Sequence, residues 1–288
     1  MIAALLVVGA AVAHAAWNLA MKRAGTSGAV FLTAALALGV VVFAPVGLPA
    51  LLSSPPAVAW QWWLIVGSGL LQVGYFVLLQ RAYRLADVGV VYPLARGTGP
   101  LLSVIAAVLV LGERPGPLAL LGAALVVAGV IVIGFAGVRG AELDRARLAR
   151  GVLYGSAVGV IIAGYTLWDA IAVSRVDLDP VGYYWASMVV QLLLLAPIAL
   201  REGGIRGIAG TVREHPSAVG AVGLLSPLAY VAVLVAYTLA PVSIIAPARE
   251  LSVVIVAIAA WMLFHEPHPA RRLLGSATVL LGIALLAL

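Results

Sequence analysis

The sequence has no cysteine, a single lysine and few charged residues of any kind. Charged side chains make up 10% of its 288 residues, whereas 64% are hydrophobic. Soluble domains have about a quarter charged residues and are about half apolar, so this composition excludes a soluble globular fold. The lack of cysteine excludes disulfides, thiolate metal sites and iron–sulfur clusters. We therefore predict an integral membrane protein whose few charges indicate its functional positions.

Catalytic and nucleotide-binding motifs are also missing. The sequence contains no G-x-x-x-x-G-K-[ST], no H-E-x-x-H, no G-x-S-x-G and no cluster of His and carboxylates at metal-ligand spacing. A lipid-modifying membrane enzyme would need such a set of residues, and a receptor that does not transport would usually carry a sizeable exposed loop. We expect no enzymatic activity, no catalytic residue, no metal and no cofactor.

Long apolar runs, separated by polar or proline-containing connections, predict ten transmembrane helices. Each run is close to the roughly 20 residues that cross a bilayer as a helix, and the runs do not alternate as barrel strands do. The predicted fold class is therefore all-α, with residues 201–216 among the connections. The predicted spans are 2–21, 29–49, 60–80, 88–111, 117–138, 150–173, 180–200, 217–237, 242–264 and 270–288.

The second half of the sequence repeats the first. Ala82-Tyr83-x-Leu85-Ala86 recurs as Ala236-Tyr237-x-Leu239-Ala240, and Pro93 recurs as Pro247 at the same offset of 154. Because each half has an odd number of helices, the second must enter the membrane in the opposite sense. We predict two inverted five-helix repeats around a central cavity, as in many secondary transporters. The predicted segments are a repeat at 1–138, a basic connecting loop at 139–149 and a repeat at 150–288. Because both repeats belong to one chain, the transporter can be a monomer.

Lysine and arginine are distributed unevenly between the two sides of the predicted helices. The connections after spans one, three, five, seven and nine hold 13 of them, and the opposite side holds Arg114 and Arg175. Basic loops are usually cytoplasmic, so we expect both termini on the non-cytoplasmic side of a bacterial inner membrane. The basic residues then indicate a lipid bilayer as partner and not nucleic acid. A C-terminal reporter found in the cytoplasm would contradict this orientation or the span count.

Four charged residues fall within spans, where each costs about 2.5–3.5 kcal/mol on insertion. Arg96 lies in the fourth span, Asp169 in the sixth, and Arg249 and Glu250 in the ninth. Such residues face water, a partner or a ligand. Two interpretations stay open, a structural ion pair between helices or a substrate site, and Asp169 is also near enough to a span end to reach the interface.

The fourth and ninth spans contain helix-breaking residues at matching positions. Pro93 and Pro247 each remove a backbone hydrogen bond, and Gly97, Gly99 and Pro100 weaken the fourth span further. Discontinuous helices at matching positions of two repeats indicate a transporter binding site, although a packing kink explains either proline alone. We predict that both helices are discontinuous and that these five residues act as hinges or gates.

Polar and aromatic side chains share single faces of other spans. His14, Trp17 and Asn18 lie on one face of the first span, and Tyr165, Trp168 and Asp169 reproduce that face on the sixth. Such a face lines a cavity or a helix contact, and the alternative for the tryptophans is the membrane–water interface. The predicted substrate-binding residues are His14, Trp17, Asn18, Gln72, Tyr75, Tyr92, Arg96, Tyr165, Trp168, Asp169, Tyr230, Arg249 and Glu250.

Glycines recur at spacings that let helices approach closely. Gly151-x-x-x-Gly155-x-x-x-Gly159 lies on the sixth span, and glycine pairs seven residues apart lie on the fifth (Gly122, Gly129) and tenth (Gly275, Gly282). We interpret all three patterns as structural.

These features together resemble the EamA family of the drug/metabolite transporter superfamily. The resemblance rests on His14-Ala-Ala-Trp17-Asn18-x-x-x-Lys22, on the five-helix repeats, and on the paired sequences Leu-Gly-Glu113-Arg-Pro and Phe-His-Glu266-Pro. It implies a ten-helix bundle in which spans 1, 3, 4, 6, 8 and 9 surround a central cavity. Several relatives export amino acids, including aromatic ones. The distantly related small multidrug resistance proteins use a buried glutamate on their first helix, which this sequence lacks.

We therefore expect a secondary transporter that exports amino acids, aromatic ones among them, or similar small metabolites by alternating access. In this hypothesis Arg96 or Arg249 binds a substrate carboxylate, and Glu250 or Asp169 binds an ammonium group or a coupling proton. The alternative is an exporter of hydrophobic cations or drugs by proton exchange, which uses Glu250 together with cation–π contacts from Trp17 and Trp168.

Overall fold

The computed structural model describes residues 1–25, 28–135, 145–264 and 269–287, which form α-helices and contain no strand. The all-α prediction is therefore confirmed for this part of the chain. The described residues form the helices α1 (Ile2–Ala24), α2 (Ala29–Ser53), α3 (Ala59–Leu85), α4 (Val88–Val110), α5 (Pro117–Phe135), α6 (Arg145–Ser174), α7 (Pro180–Glu202), α8 (Gly204–Glu214), α9 (Pro216–Leu239), α10 (Val242–Ala248), α11 (Leu251–Phe264) and α12 (Pro269–Leu286).

Nine stretches of the described residues are long and apolar enough to cross a membrane. They are α1 to α7, α9, and α10 together with α11, and they correspond to the first nine predicted spans. The tenth predicted span corresponds to α12, which is not among the nine. A count of ten spans stays a prediction.

Two predicted connections contain helical residues. Helix α6 begins at Arg145, so the end of the predicted loop 139–149 is helical, while residues 139–144 and Glu266 lie outside the described ranges. The predicted connection 201–216 contains α8. Its apolar residues recur every three or four positions, as on one face of a helix, and this short pattern is invisible to a search for membrane-length runs.

The chain forms two compact units, and each unit combines segments from both halves of the sequence. Unit 1 comprises residues 1–73 and 168–239, and unit 2 comprises residues 74–167 and 240–288. Helices α3 and α6 each contribute one end to either unit. The units differ from the predicted repeats, whose boundaries stay a prediction.

Unit 1 is built on close contacts of α1 with α9 and of α2 with α7 and α9. Its glycines allow the short distance between α2 and α9, because a Cβ atom added at Gly39 would lie 2.7 Å from the carbonyl oxygen of Gly223. The apolar cluster between these two helices contains Phe31, Ala34, Ala35, Ala218, Val219 and Val222. The small side chains bring the helices together, and Phe31 fills the space beside them.

Unit 2 contains the glycine contacts that the sequence predicts. A Cβ atom at Gly122 would lie 2.6 Å from the carbonyl oxygen of Gly282, and one at Gly129 would lie 2.6 Å from that of Gly275. Helices α5 and α12 therefore pack backbone to backbone. Gly155 of α6 likewise faces α4, where an added Cβ atom would lie 2.9 Å from the carbonyl oxygen of Val91. The structural interpretation of these glycines is confirmed.

Candidate functional site

Unit 1 contains a fully buried carboxylate, that of Asp169 on α6. The hydroxyl of Tyr183 on α7 donates a hydrogen bond to its Oδ1 at 2.7 Å, and the hydroxyl of Tyr230 on α9 donates to its Oδ2. The amide Nε2 of Gln72 on α3 is 3.5 Å from the same Oδ2. Three neutral donors from three helices thus solvate a charge that would be very costly to bury alone.

A chain of polar side chains continues from this carboxylate between α3 and α7. The amide of Gln72 is 3.4 Å from the hydroxyl oxygen of Ser68, and the hydroxyl of Ser187 donates to Ser68 at 3.0 Å. The amide of Gln191 then donates to Ser187 at 3.4 Å. Buried polar networks of this kind inside a membrane protein are typical of ion and proton pathways.

Trp168, next to Asp169, has a packing role in this structure. Its indole N–H donates to the carbonyl oxygen of Leu64 at 2.8 Å, and its ring covers Gly67, where an added Cβ atom would clash with the indole. Trp168 therefore holds α6 against α3 within unit 1.

Contacts within α1 connect the side chains of its polar face. The rings of His14 and Trp17 meet edge to face with centroids 4.7 Å apart. The amide of Asn18 donates to the backbone carbonyl of His14 at 2.7 Å, and the indole nitrogen of Trp17 is buried with no hydrogen-bond partner among the described residues. A substrate role for these three residues stays a prediction.

Unit 2 contains a buried ion pair between α4 and the segment that joins α10 to α11. One terminal guanidinium nitrogen of Arg96 on α4 lies 3.4 Å from Oε1 of Glu250. The Glu250 side chain is 2% exposed and that of Arg96 is 17% exposed. The ring of Tyr92, one turn earlier on α4, has its centroid 5.8 Å from Cζ of Arg96, within the range of a cation–π contact.

Only one oxygen of the Glu250 carboxylate contacts Arg96 in this ion pair. Its second oxygen, Oε2, is buried and has no hydrogen-bond partner in the described parts of the chain. The contact of 3.4 Å between Arg96 and Oε1 is also long for a charged pair. The Glu250 carboxylate therefore retains capacity for another group.

Glu250 lies at a break between two helices. Helix α10 ends at Ala248 and α11 begins at Leu251, and around Arg249 the backbone bonds shorten to i→i+3, as in Glu250 N–H to the Pro247 carbonyl at 3.0 Å. A short 3₁₀ interruption inside a long helix often marks a hinge. The predicted discontinuity of the ninth span is confirmed.

The fourth span, in contrast, is not discontinuous, and this prediction was wrong. Helix α4 continues from Val88 to Val110 through both of its prolines. Hydroxyl groups supply local hydrogen bonds along it, from Thr98 to the carbonyl of Leu94 at 2.6 Å and from Ser103 to that of Gly99 at 2.8 Å. These bonds do not reach the carbonyls of Gly89 and Arg96, which lose their donors to Pro93 and Pro100, and contacts with neighbouring helices make such prolines tolerable within a membrane helix.

Gly97, Gly99 and Pro93 of α4 mark places where other helices approach. A Cβ atom at Gly97 would lie 2.9 Å from the Ile131 side chain of α5, and one at Gly99 would lie 2.7 Å from that of Ile162 on α6. Pro93 itself packs against Gly134 of α5. These three residues have packing contacts, and their hinge role stays a prediction, as does that of Pro100 and Pro247.

Glu113 has a structural role that the sequence did not predict. From the connection after α4, its two carboxylate oxygens accept the backbone N–H groups of Val242 at 2.8 Å and Ser243 at 2.9 Å. Both N–H groups belong to the first turn of α10, where no partner within the helix exists. Glu113 therefore caps the helix that leads to Glu250.

The structure thus brings the predicted residues together in two separate sets. Gln72, Asp169 and Tyr230 meet in unit 1, and Tyr92, Arg96 and Glu250 meet in unit 2. Also in unit 2, the rings of Tyr75 and Tyr165 pack edge to face with centroids 5.9 Å apart. Arg249 lies half-buried at the α10–α11 break beside Glu250.

The functional candidates missed by the sequence analysis lie mostly on α7. Tyr183, Ser187 and Gln191 stand four residues apart, which is one face of a helix, and this spacing was the available signal. Within the ranges that the structure describes, no three His, Cys, Asp or Glu side chains come together as metal ligands do.

Comparison with known proteins gives a family match over nearly the whole chain. The model of the EamA-like transporter family matches residues 1–135 and residues 149–288. A Pseudomonas aeruginosa protein named Multidrug transporter PA4990 is 43% identical over 70 residues. That alignment covers 24% of this chain and 61% of the relative, so less than two thirds of the relative's length is matched.

The fold is also similar to a protein of known crystal structure. The two superpose with a TM-score of 0.79 over 98% of this chain and 95% of the other, at 20% sequence identity. At this identity the similarity concerns the fold alone.

Proposed function

Since this chain belongs to the EamA-like transporter family and is therefore a membrane transporter and not an enzyme, we propose that it exports amino acids or similar small metabolites. The proposal includes alternating access of the substrate site to the two sides of the membrane. It also keeps the orientation predicted from the basic loops, in a bacterial inner membrane.

The ion pair of Arg96 with Glu250 is the observation that carries this proposal. A free amino acid presents a carboxylate and an ammonium group on one carbon atom, and the pair offers one partner for each. The carboxylate binds the guanidinium fork of Arg96, which favours bidentate contacts with planar anions. The ammonium group binds Glu250, whose Oε2 has no partner among the described residues. Both protein charges stay compensated when the substrate replaces their direct contact.

Access to Glu250 requires movement, because its side chain is almost fully buried. The α10–α11 break lies next to it and interrupts the regular hydrogen bonds of the helix. We assign the opening step to this break, with Pro247 as the hinge residue. The tyrosines of the same unit, Tyr75, Tyr92 and Tyr165, supply rings for the apolar part of an aromatic substrate.

The test is substrate counterflow in proteoliposomes with matched probes. We expect the wild-type protein to exchange a labelled aromatic amino acid and to discriminate against the amide of the same amino acid, which lacks the carboxylate. Arg96→Ala removes charge-assisted hydrogen bonds and should weaken amino-acid binding about 10- to 100-fold, with loss of that discrimination. Arg96→Lys keeps the charge without the planar fork and should be intermediate.

Arg147→Ala is the control, because Arg147 is exposed at the start of α6. This variant should exchange substrate like the wild type. If counterflow is undiminished in both Arg96→Ala and Arg249→Ala, the assignment of the site to these arginines is wrong. If the wild type exchanges none of the amino acids in a broad panel, the substrate class itself is wrong.

A second candidate function, export of hydrophobic cations in exchange for protons, is favoured by the surroundings of Asp169. This carboxylate is bonded to neutral donors on two tyrosines, whereas Glu250 already faces an arginine. A buried acid that accepts hydrogen bonds from hydroxyl groups can exchange a proton for an organic cation, so we assign this role to Asp169 instead of Glu250.

We expect Asp169→Asn to abolish any accumulation of a lipophilic cation in vesicles with an acidic interior. Amino-acid counterflow, assayed without a pH gradient, should still be measurable in this variant. Equal accumulation by wild type and Asp169→Asn would exclude this candidate. The two assays distinguish the candidates because each depends on a different unit.

A further inference from the structure

Helix α8 is amphipathic and has no buried residue. It follows α7 after a single turn residue, Gly203, and Gly204 at its start has a left-handed φ of +63°. Ile205, Ile208 and Val212 are spaced three and four residues apart and share one face, while Arg206 and Arg213, seven apart, form a basic stripe along its edge.

Only part of the apolar face of α8 is covered by protein. Ile208 packs against the apolar cluster of Phe31 and Ala218, together with Met21 of α1. Ile205 is 77% exposed and Val212 is 41% exposed. The helix is thus fixed to unit 1 along one edge and leaves two aliphatic side chains uncovered.

The surroundings of this uncovered strip are basic. Three arginines are exposed here, Arg201 at the end of α7 and Arg206 and Arg213 on α8. None of them has an ion-pair partner among the described residues. Lys22 and Arg23 are exposed at the end of α1, whose Met21 and Ala24 pack against the same cluster as Ile208. The acidic residues on these elements are Glu202 and Glu214, which leaves an excess of positive charge.

We propose that α8 lies in the membrane interface and binds the headgroup of an anionic phospholipid. Ile205 and Val212 then enter the boundary between headgroups and acyl chains, and Arg206 and Arg213 contact the lipid phosphate. Short amphipathic helices with basic edges bind membranes by this combination of apolar burial and charge. The predicted orientation places α8 on the cytoplasmic side, where basic residues meet anionic lipid. The proposal is independent of the transported substrate.

The test measures lipid retention by the full-length protein in detergent, with native mass spectrometry, and its thermal midpoint. Phosphatidylglycerol should be retained in preference to phosphatidylcholine and should raise the midpoint. In the double variant Arg206→Gln/Arg213→Gln the affinity for phosphatidylglycerol should fall roughly 30-fold, since each basic residue contributes about a factor of five near an anionic surface. Inorganic phosphate alone should not raise the midpoint.

The matched control is Arg145→Gln/Arg147→Gln, which removes the same charge from exposed positions at the start of α6. A second variant, Ile205→Ser/Val212→Ser, keeps every charge and should also weaken retention of phosphatidylglycerol. Equal loss in the control, no effect of the serine variant, or equal retention of both lipids would overturn the proposal. A dimer that forms without lipid and is lost in the serine variant would instead assign this face to a second copy of the chain.

Discussion

Among the described residues, the buried acids Asp169 and Glu250 are stabilised in different ways, although both lie in predicted membrane spans. Glu250 has a cationic partner, whereas Asp169 accepts hydrogen bonds from two hydroxyls and an amide. The sequence identified both acids, because a charge in an apolar span is conspicuous. It could not identify Tyr183, because one tyrosine among many is distinguished only by the packing of α7 against α6.

The hydrogen bond from Tyr183 to Asp169 can be tested by removing one oxygen atom. We expect Tyr183→Phe to lower the free energy of unfolding by about 1–3 kcal/mol, the usual cost of leaving a buried charged acceptor short of a donor. The measurement is unfolding by denaturant in mixed micelles. Tyr154→Phe is the control, since no hydrogen bond of the Tyr154 hydroxyl occurs among the described residues, and an equal loss in both variants would contradict the assignment.

At the scale of helices, the prolines alone did not decide where the chain is interrupted. Pro93 and Pro100 lie within an unbroken α4, and Pro247 lies just before the α10–α11 break. Pro93 packs against Gly134 of α5, whereas the backbone after Pro247 changes to i→i+3 hydrogen bonds. The matching prolines predicted a break in both helices, and the structure has it in only one of them.

Replacement of Glu113 by glutamine tests the cap on α10. The amide keeps one acceptor oxygen and loses the negative charge, so Glu113→Gln should cost about 0.5–2 kcal/mol of local stability. Hydrogen exchange should become faster at the amides of Val242 and Ser243. Glu202→Gln, at the exposed end of α7, is the control, and unchanged exchange at α10 in Glu113→Gln would show that the cap is dispensable.

At the scale of the molecule, the contact between α5 and α12 is reciprocal. Gly122 and Gly275 occupy equivalent positions in the two halves of the sequence, as do Gly129 and Gly282, and each glycine meets the non-equivalent one of the other helix. An antiparallel pair related by a twofold axis produces this pattern. The spacing of the glycines predicted close packing from the sequence, but the identity of the partner helix required the structure.

This contact leaves no room for a methyl group. We expect Gly129→Ala to destabilise the protein by about 1–3 kcal/mol, as overpacking of a close contact usually does, with a lower thermal midpoint in detergent. Gly164→Ala is the matched control, because it is the same substitution within a helix of unit 2 and an added Cβ atom there meets nothing within 4 Å. If the thermal midpoint of Gly129→Ala is no lower than that of Gly164→Ala, the backbone contact is contradicted.

The pairing of early with late helices has a consequence for biosynthesis. Helix α1 packs against α9, and α5 packs against α12, so α1 and α5 leave the ribosome well before their partners are made. At about 5–20 residues per second, the ~190 residues between Ala24 and Pro216 take roughly 10–40 s to synthesise. During that interval, the surface of α1 that later packs against α9 contacts lipid or the insertion machinery. A ribosome that stalls before α9 therefore leaves a membrane-inserted chain in which α1 is unpaired, a distinct substrate for membrane quality control.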